Sequence, residues 1–309
     1  MKACVRGQRR LAEGRLLLHL EVAGGRWRRA VPGQFLHLRV EDSCDPFLRR
    51  PLSLHDVVAA RQRGSTLLKV VYEVVGRGTG LLAEKPAGSS VDILGPLGNG
   101  FDLKALASAR RVVIVAGGMG VAPLYFLAKK LIEVRSRPFD RAQDDFSVTA
   151  RGTLRSKSEA RKILVLMGAK TRGHLIGEKM FRSLGCEVKA ATDDGSKGYK
   201  GLVTELLEAE LRSLKLEAGS SKTIDRTSTL KRRTSDASLV KVCACGPKPM
   251  LAAVARIAAE TGIRARVSLE EFMGCGLGAC LGCVIKTKAG YKRICHDGPV
   301  FDAQEMVWE

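Results

Sequence analysis

Aromatic side chains are scarce in this 309-residue chain: nine Phe, four Tyr and two Trp make up 5% of it. Stacking platforms for nucleic-acid bases are therefore poorly provided. No run of 18 or more uncharged apolar residues occurs, so no transmembrane helix is expected. The basic start MKACVRGQRR lacks the apolar centre of a signal peptide, which points to a cytoplasmic protein rather than a secreted one. Acidic residues are also short, 32 against 52 Lys and Arg, for a net charge of +20. That excess raises the question of nucleic acid, and its location argues against it. Residues 135–162 carry eight basic side chains against four acidic, and 212–241 carry eight against three. Both stretches are polar and serine-rich, and they read as solvated insertions rather than a binding face. No Ser–His–Asp pattern emerges, and His174 has no acidic neighbour in its basic loop. Acid–base and nucleophilic chemistry are not visible here.

The length favours two or three domains over one core. Residues 1–102 hold short alternating runs (LLLHLEV, QFLHLRV, LLKVVYEVV, SVDILGP) broken by Gly, Pro or charge, the pattern of a small antiparallel barrel. Residues 103–262 change to strand, glycine turn and amphipathic helix in alternation, which predicts a parallel sheet covered by helices. The two basic insertions, near 136–160 and 213–238, are expected between elements of this second domain, where extra length is tolerated. Residues 263–309 form a third segment, too short to hold together by core burial alone.

Nine cysteines are present, and four of them crowd that third segment: Cys275, Cys280, Cys283 and Cys295, spaced C-x4-C-x2-C-x11-C. Clustered rather than scattered thiols argue for metal ligation in a reducing compartment. Three lie in one loop with Gly274, Gly276, Gly278 and Gly282 around them, whereas structural zinc takes cysteines in pairs from two knuckles. The first three match the plant-type [2Fe–2S] spacing; only the last gap is short. The glycines let the loop wrap a two-iron centre and let backbone N–H groups approach the sulfurs. Zinc is the alternative, and His296 reads as a bystander. Cys4, Cys44, Cys186 and Cys243 read as small buried or incidental thiols.

A one-electron centre needs an electron-exchange partner. GGMGVAP follows the buried strand RVVIVA and opens a helix, so Gly117, Gly118 and Gly120 form a candidate pyrophosphate turn. Asp193 and Asp194 in ATDDGSKG, and Cys245, Gly246 and Pro247 in CACGPKPM, follow two more parallel strands, where ligands gather in this architecture. The aspartates favour NAD over NADP, although Arg172 nearby argues the other way. In the barrel half, RRPLS at Arg49–Ser53 offers a guanidinium, a stiffened backbone and a hydroxyl that could hold a phosphate and contact a ring, or form only a solvated turn. YEVVGRGTGLL adds Tyr72, able either to pack on a heterocycle or simply to fill a strand face, with Gly78 and Thr79 as a second pyrophosphate contact.

RPLS, YEVVGRGTGLL, LGPLGNGF, AGGMGVAPL, ATDDGSKG, CGPKPM and the whole of SLEEFMGCGLGACLGCVIKTKAGYKRICHDGPVFDAQEMV follow one another in an order that resembles the ferredoxin-reductase-like electron-transfer subunits of NAD-dependent dihydroorotate dehydrogenase. The likeness runs from about residue 3 to 308 outside the two insertions. It implies FAD in the barrel on Arg50–Ser53, Val71, Tyr72, Glu73, Gly78 and Thr79, and NAD(H) in the middle domain. It implies a [2Fe–2S] cluster on the four cysteines. The implied partner is an FMN-containing catalytic subunit that oxidises dihydroorotate in pyrimidine biosynthesis, in a heterotetramer of two of each subunit. Electrons would then run from that FMN through the cluster and FAD to NAD+. Relatives with the same cofactors serve hydrogenase, sulfide-related or transhydrogenase complexes, and a zinc-stabilised basic binding module is the non-enzymatic alternative. One departure stands out. The family usually carries a basic residue where Glu73 stands, so the acid would weaken the flavin contact unless Arg50 or Arg77 compensates it or only the Glu73 backbone touches the flavin.

Overall fold

The computed structural model describes residues 1–43, 45–136, 163–220 and 240–308. Most of the two basic insertions, and Cys44, lie outside the described residues. The alternating runs of the N-terminal third become β1 (Lys2–Ala12), β2 (Arg15–Ala23), β3 (Phe35–Arg39), β4 (Arg50–Ala59), β5 (Ser65–Glu73) and, after helix α1 (Arg77–Glu84), β6 (Ser90–Leu97). They close into an antiparallel barrel in the order β1-β2-β5-β4-β3-β6. Period-two alternation explains the closure: Leu18, Leu20, Leu36, Leu38, Leu54, Leu68 and Val70 all turn inward and are fully buried, around Trp27.

Helix α2 (Leu103–Ala107), with Asp102 accepting from the Ala105 N–H at 3.0 Å as its cap, leads into the second domain. There follow β7 (Arg111–Gly117), α3 (Val121–Ser136), β8 (Ile163–Ala169), α4 (Glu178–Ser183), β9 (Glu187–Thr192), β10 (Tyr199–Lys200), α5 (Val203–Ser220), β11 (Val240–Cys245), α6 (Lys248–Thr261) and β12 (Arg264–Ser268). All of these strands pair in parallel. Near-continuous apolar runs such as Val112–Ala116 are what a strand covered on both faces requires. Helix α5 extends to Ser220, so the start of the second insertion is helical rather than connecting chain.

The last segment supplies β13 (Val284–Thr287), β14 (Gly290–Arg293), α7 (Ile294–Asp297) and β15 (Val300–Asp302). The hairpin β13–β14 stands apart, but β15 adds antiparallel to β12, giving the sheet order β10-β9-β8-β7-β11-β12-β15. Cys283, Cys295, Ile294, Met273 and Phe301 also share one core with the sheet face under α5 and α6. The segment is thus anchored by the sheet as well as by whatever its cysteines hold.

Helix α3 joins barrel to sheet. Phe126 is buried among the barrel residues, and Lys129 reaches the buried Asp56 of β4 at 2.7 Å, with Lys69 on the same carboxylate at 3.1 Å. Burial alone would raise the Asp56 pKa; the two ammonium groups outweigh it, and the carboxyl stays below its ordinary value. Among the described residues no helix is long and apolar enough to cross a membrane.

Candidate cofactor sites

Strands β4 and β5 are neighbours, and β5 runs into the turn that opens α1. This brings Arg50, Pro51, Leu52, Ser53, Val71, Tyr72, Glu73, Gly78 and Thr79 to the wall of one cavity of about 730 Å³. The Arg50 side chain lies so close over Gly78 that any Cβ there would collide with the guanidinium. Thr79 Oγ1 accepts from the N–H groups of Val75 and Gly76 at 3.0 and 3.2 Å and fixes the turn. A helix start flanked by Arg50 and Arg77 has the charge and donors that a pyrophosphate needs. Tyr72 is buried and donates its hydroxyl to Gln8 Oε1 at 2.5 Å. Burial pushes that hydroxyl up to about 12 and keeps it protonated.

Glu73 is compensated, but by neither expected arginine. Its Oε1 accepts from Nε and Nη2 of Arg15, both at 3.1 Å. Arg77 pairs instead with Asp45 at 2.9 Å. Arg15 also donates to the His174 carbonyl at 2.8 Å, which ties the flavin-side wall to the turn Arg172–His174 of the sheet domain.

The same cavity is lined also by Leu269, Glu270, Glu271, Phe272, Met273, Gly274 and Gly282, so it adjoins the cysteine loop. There the N–H groups of Leu277, Ala279 and Cys280 point at Cys275 Sγ at 3.3, 3.3 and 3.4 Å. Cys275 and Gly282 donate to Cys280 Sγ, both at 3.4 Å, Gly278 to Cys295 Sγ at 3.1 Å, and Cys295 to Cys283 Sγ at 3.4 Å. These donors, led by Leu277, lower the Cys275 pKa to about 6, whereas burial raises that of Cys295. The bonds sort the thiols into two pairs, Cys275 with Cys280 and Cys283 with Cys295. Among the described residues no three His, Cys, Asp or Glu side chains converge on a point suited to a single ion. Two cysteine pairs under backbone N–H donors are a donor set of the kind that an anionic iron–sulfur centre takes. The first pair is half-buried to exposed and the second buried. Phe272, Leu277 and Leu281 stand exposed around them, Phe272 at 93%. His296 bonds to Asp297 at 2.7 Å and to Arg293 at 3.3 Å, a surface role.

The three nucleotide candidates follow the carboxyl ends of the interior parallel strands β7, β9 and β11, at one end of the sheet. Gly120 is in contact with the Cys245 carbonyl, and no side chain fits between. Gly117 faces Pro247 and Met250 in the same way. Asp194 Oδ1 accepts from the Ser196 N–H at 2.9 Å and its hydroxyl at 2.6 Å, and Ser196 in turn accepts from the Arg172 N–H at 2.7 Å. Met119 and Ala122, from the glycine turn and α3, reach the flavin-side cavity. Cys245 does not line it: the thiol is fully buried, 4.0 Å from Glu270 Oε1, and burial holds it protonated. Glu270 is exposed as a residue and lines the cavity, and desolvation by the surrounding protein raises its carboxyl pKa.

The family model of the iron–sulfur cluster binding domain of dihydroorotate dehydrogenase B matches residues 270–307. The electron transfer subunit of dihydroorotate dehydrogenase B (NAD(+)) from Bacillus caldolyticus is 39% identical over 279 residues, covering 89% of this chain and 86% of that protein. The chain belongs to this family. The dihydroorotate dehydrogenase B electron transfer subunit of Caldanaerobacter subterraneus subsp. tengcongensis is 33% identical and spans 100% of this chain and 98% of its own length. Among solved structures, the NADH-dependent reduced ferredoxin-NADP oxidoreductase studied for flavin-based electron bifurcation matches with a TM-score of 0.69 and 26% identity, over 99% of this chain and 90% of that one. A ferredoxin NADP+ reductase from Neisseria gonorrhoeae shares the fold, with a TM-score of 0.55 at 15% identity over 85% and 91% of the two chains.

Within this dihydroorotate dehydrogenase B frame, three residues escape a reading of motifs: Arg15, Glu270 and His37. Arg15 sits in a plain strand run, and Glu270 in an acid pair with no marked neighbour. His37 lies in QFLHLRV, where it counts as one polar position in an alternation. Each acts through partners distant in sequence, 25 residues for Glu270 and Cys245 and 159 for Arg15 and His174, and no local signal announces that.

Proposed function

We propose that this chain is the NAD-linked electron-transfer subunit of a dihydroorotate dehydrogenase, with FAD in the barrel cavity, a [2Fe–2S] centre on Cys275, Cys280, Cys283 and Cys295, and NAD(H) across the sheet end formed by Gly117–Gly120, Asp193–Asp194 and Cys245–Pro247. The observation that carries the reading is the shared cavity: the nine flavin candidates line it, and so do Gly274 and Gly282 of the cysteine loop. When bound, the flavin supplies the exchange between hydride and single electrons, and the cluster supplies the one-electron step.

The chain's own residues bind and orient. Arg50, Arg77 and the start of α1 take the flavin phosphates; Tyr72 and Ser53 flank the ring system. Arg15 holds Glu73 so that its charge is balanced. The N–H groups around the thiolates offset the negative charge of the centre and raise its potential. Glu270, its pKa raised by desolvation, lies in the cavity lining beside Cys245. The exposed Phe272, Leu277, Leu281 and Tyr291 give the cluster side an apolar face for an FMN-containing catalytic subunit. An assembly of two of each subunit belongs to the same reading. The domain limits proposed are 1–102, 103–262 and 263–309, the last contributing both β12 and β15 to the sheet of the second.

A transhydrogenase-type complex is the second reading, favoured by the 0.69 structural match. Co-purification with an FMN-type catalytic subunit, followed by assay of dihydroorotate-dependent NAD+ reduction, separates the two. In that complex Cys280→Ser should remove the cluster and stop dihydroorotate-dependent NAD+ reduction, while reduction of the bound flavin by NADH continues. Dihydroorotate-dependent turnover in a complex verified to lack iron would refute the relay.

A further inference from the structure

The outward face of β3 meets the cysteine loop. Leu36 and Leu38 fill the barrel, whereas Phe35 packs with Met273, Cys283 and Cys295, and His37 faces Gly276. His37 is 0% exposed, and neither ring nitrogen has a hydrogen-bond partner among the described residues. The backbone of Cys275 and of Arg49 lies near enough to act on the ring electrostatically, without a bond of normal geometry. A Cβ on Gly276 would stand 2.5 Å from His37 Nδ1. Gly276 also has φ +70°, a conformation that favours glycine. A leucine at position 37 would fill the same space without burying two polar atoms, so the reason for an imidazole lies in what it faces.

What it faces is the turn that aims donors at sulfur. Cys275–Gly278 is the stretch in which the Leu277 N–H reaches Cys275 Sγ at 3.3 Å and the Gly278 N–H reaches Cys295 Sγ at 3.1 Å. The same strand serves the flavin side: Phe35 lines the cavity, and His37 is in register with Pro51 of the cavity wall. We propose that His37 is a positioning residue of the electron path, holding the Cys275–Gly278 turn against β3 so that its N–H groups stay on the cysteine sulfurs and the loop keeps its place beside the flavin cavity. The proposal rests on the reading of the four cysteines as cluster ligands.

The test uses the full chain co-expressed with its catalytic partner. Iron, sulfide and the EPR spectrum of the reduced wild-type complex are measured first; absence of a cluster signal there defeats the ligand reading itself, before any variant is made. His37→Leu should keep its flavin and its circular dichroism while giving up iron to a chelator about tenfold faster, the lower end of what loss of an outer support does. Its EPR line shape should change, and its midpoint potential should move to more negative values as the donors relax. His37→Gln, which retains an N–H donor, should recover most of both. Gly276→Ala should reproduce the loss by colliding with the ring, and His37→Ala in the same chain should relieve part of it. Wild-type chelator kinetics, line shape and potential in His37→Leu would overturn the proposal, as would a Gly276→Ala defect that His37→Ala leaves unchanged.

Discussion

Removing Arg15 isolates a charge at the flavin wall. Its guanidinium is almost buried, with a side chain 9% exposed, and makes two contacts of 3.1 Å to Glu73 Oε1 and one of 2.8 Å to the His174 carbonyl. In Arg15→Met the aliphatic stem is kept and all three contacts go. A hydrogen bond to a charged group contributes about 1.5–3 kcal/mol when well buried. The Glu73 side chain is 36% exposed, so water recovers part of this, and about 1–2 kcal/mol is the reasonable share for the pair. The link to His174 adds about 1 kcal/mol. Urea denaturation of the flavin-free chain should therefore show a loss of about 2–3 kcal/mol, the sum of those two contributions.

The flavin titration reads a different part of the same contact. An unpaired carboxylate in the wall opposes a pyrophosphate, and FAD should bind roughly tenfold more weakly, about 1.4 kcal/mol. Glu73→Gln in the same chain should restore that affinity, because it removes the charge, but not the stability carried by His174. A double-mutant cycle over Arg15→Met and Glu73→Gln then isolates the pair. Wild-type FAD affinity in Arg15→Met, or a coupling energy below about 0.5 kcal/mol, would show that Glu73 needs no counter-charge.

Three further outcomes are expected. His55 is buried, bonded through Nδ1 to the Ala122 carbonyl at 2.9 Å and stacked on Tyr125 at 4.6 Å, and burial lowers its pKa from 6.5 to about 4. Between pH 6.5 and 4 the unfolded chain binds a proton that the folded chain refuses; stability should thus fall with pH across that window, by about 3 kcal/mol in full, and be level above it. Urea midpoints at pH 7 and 4.5 check this, and His55→Gln should flatten the difference. Leu281 has φ +59° and is 63% exposed, so Leu281→Gly should gain about 1 kcal/mol in melting experiments while weakening capture of the catalytic subunit. A Gly120→Ala side chain meets the Cys245 carbonyl; overpacking of about 1–3 kcal/mol should suppress NADH reduction of bound flavin with flavin content unchanged.

The sequence was legible wherever a function is carried by consecutive residues. The barrel strands, the glycine turn after β7 and the C-x4-C-x2-C loop are local patterns, and the structure places them as elements with the same contents. Pairing across distance was not legible. Nothing near Glu73 says that its counter-ion is Arg15 rather than Arg50 or Arg77, because β2 and β5 become neighbours only in the barrel, where Arg15 falls opposite Glu73 in register. Likewise β15 reads as a short tail strand, and only its pairing with β12 makes it part of the nucleotide sheet. The helical start of the second insertion was missed because a basic, serine-rich composition masks the continuing period of α5.

The cavity's position decides how the parts work together. A flavin bound by the barrel alone could exchange hydride with any nucleotide, and a cysteine loop alone could trade electrons with any donor. Here Met119 and Ala122 from the glycine-turn side, Gly274 and Gly282 from the cysteine-loop side, and Arg50 to Ser53 from β4 bound the same space. On the proposed assignment of flavin and cluster, two-electron exchange would approach from the glycine-turn side and one-electron exchange from the cysteine-loop side. The buried pair Cys283 and Cys295 packs inward with Phe35, while Cys280 and the exposed Leu277 and Leu281, which do not line the cavity, face outward. That asymmetry gives the loop a direction: its inner side adjoins the flavin space, and its outer side is open to a donor subunit. If the direction is right, Leu277→Ala, at an exposed residue outside the cavity lining, should slow reduction by the catalytic partner and leave reduction of the flavin by NADH untouched; equal loss of both would mean that the outer face shapes the cavity instead.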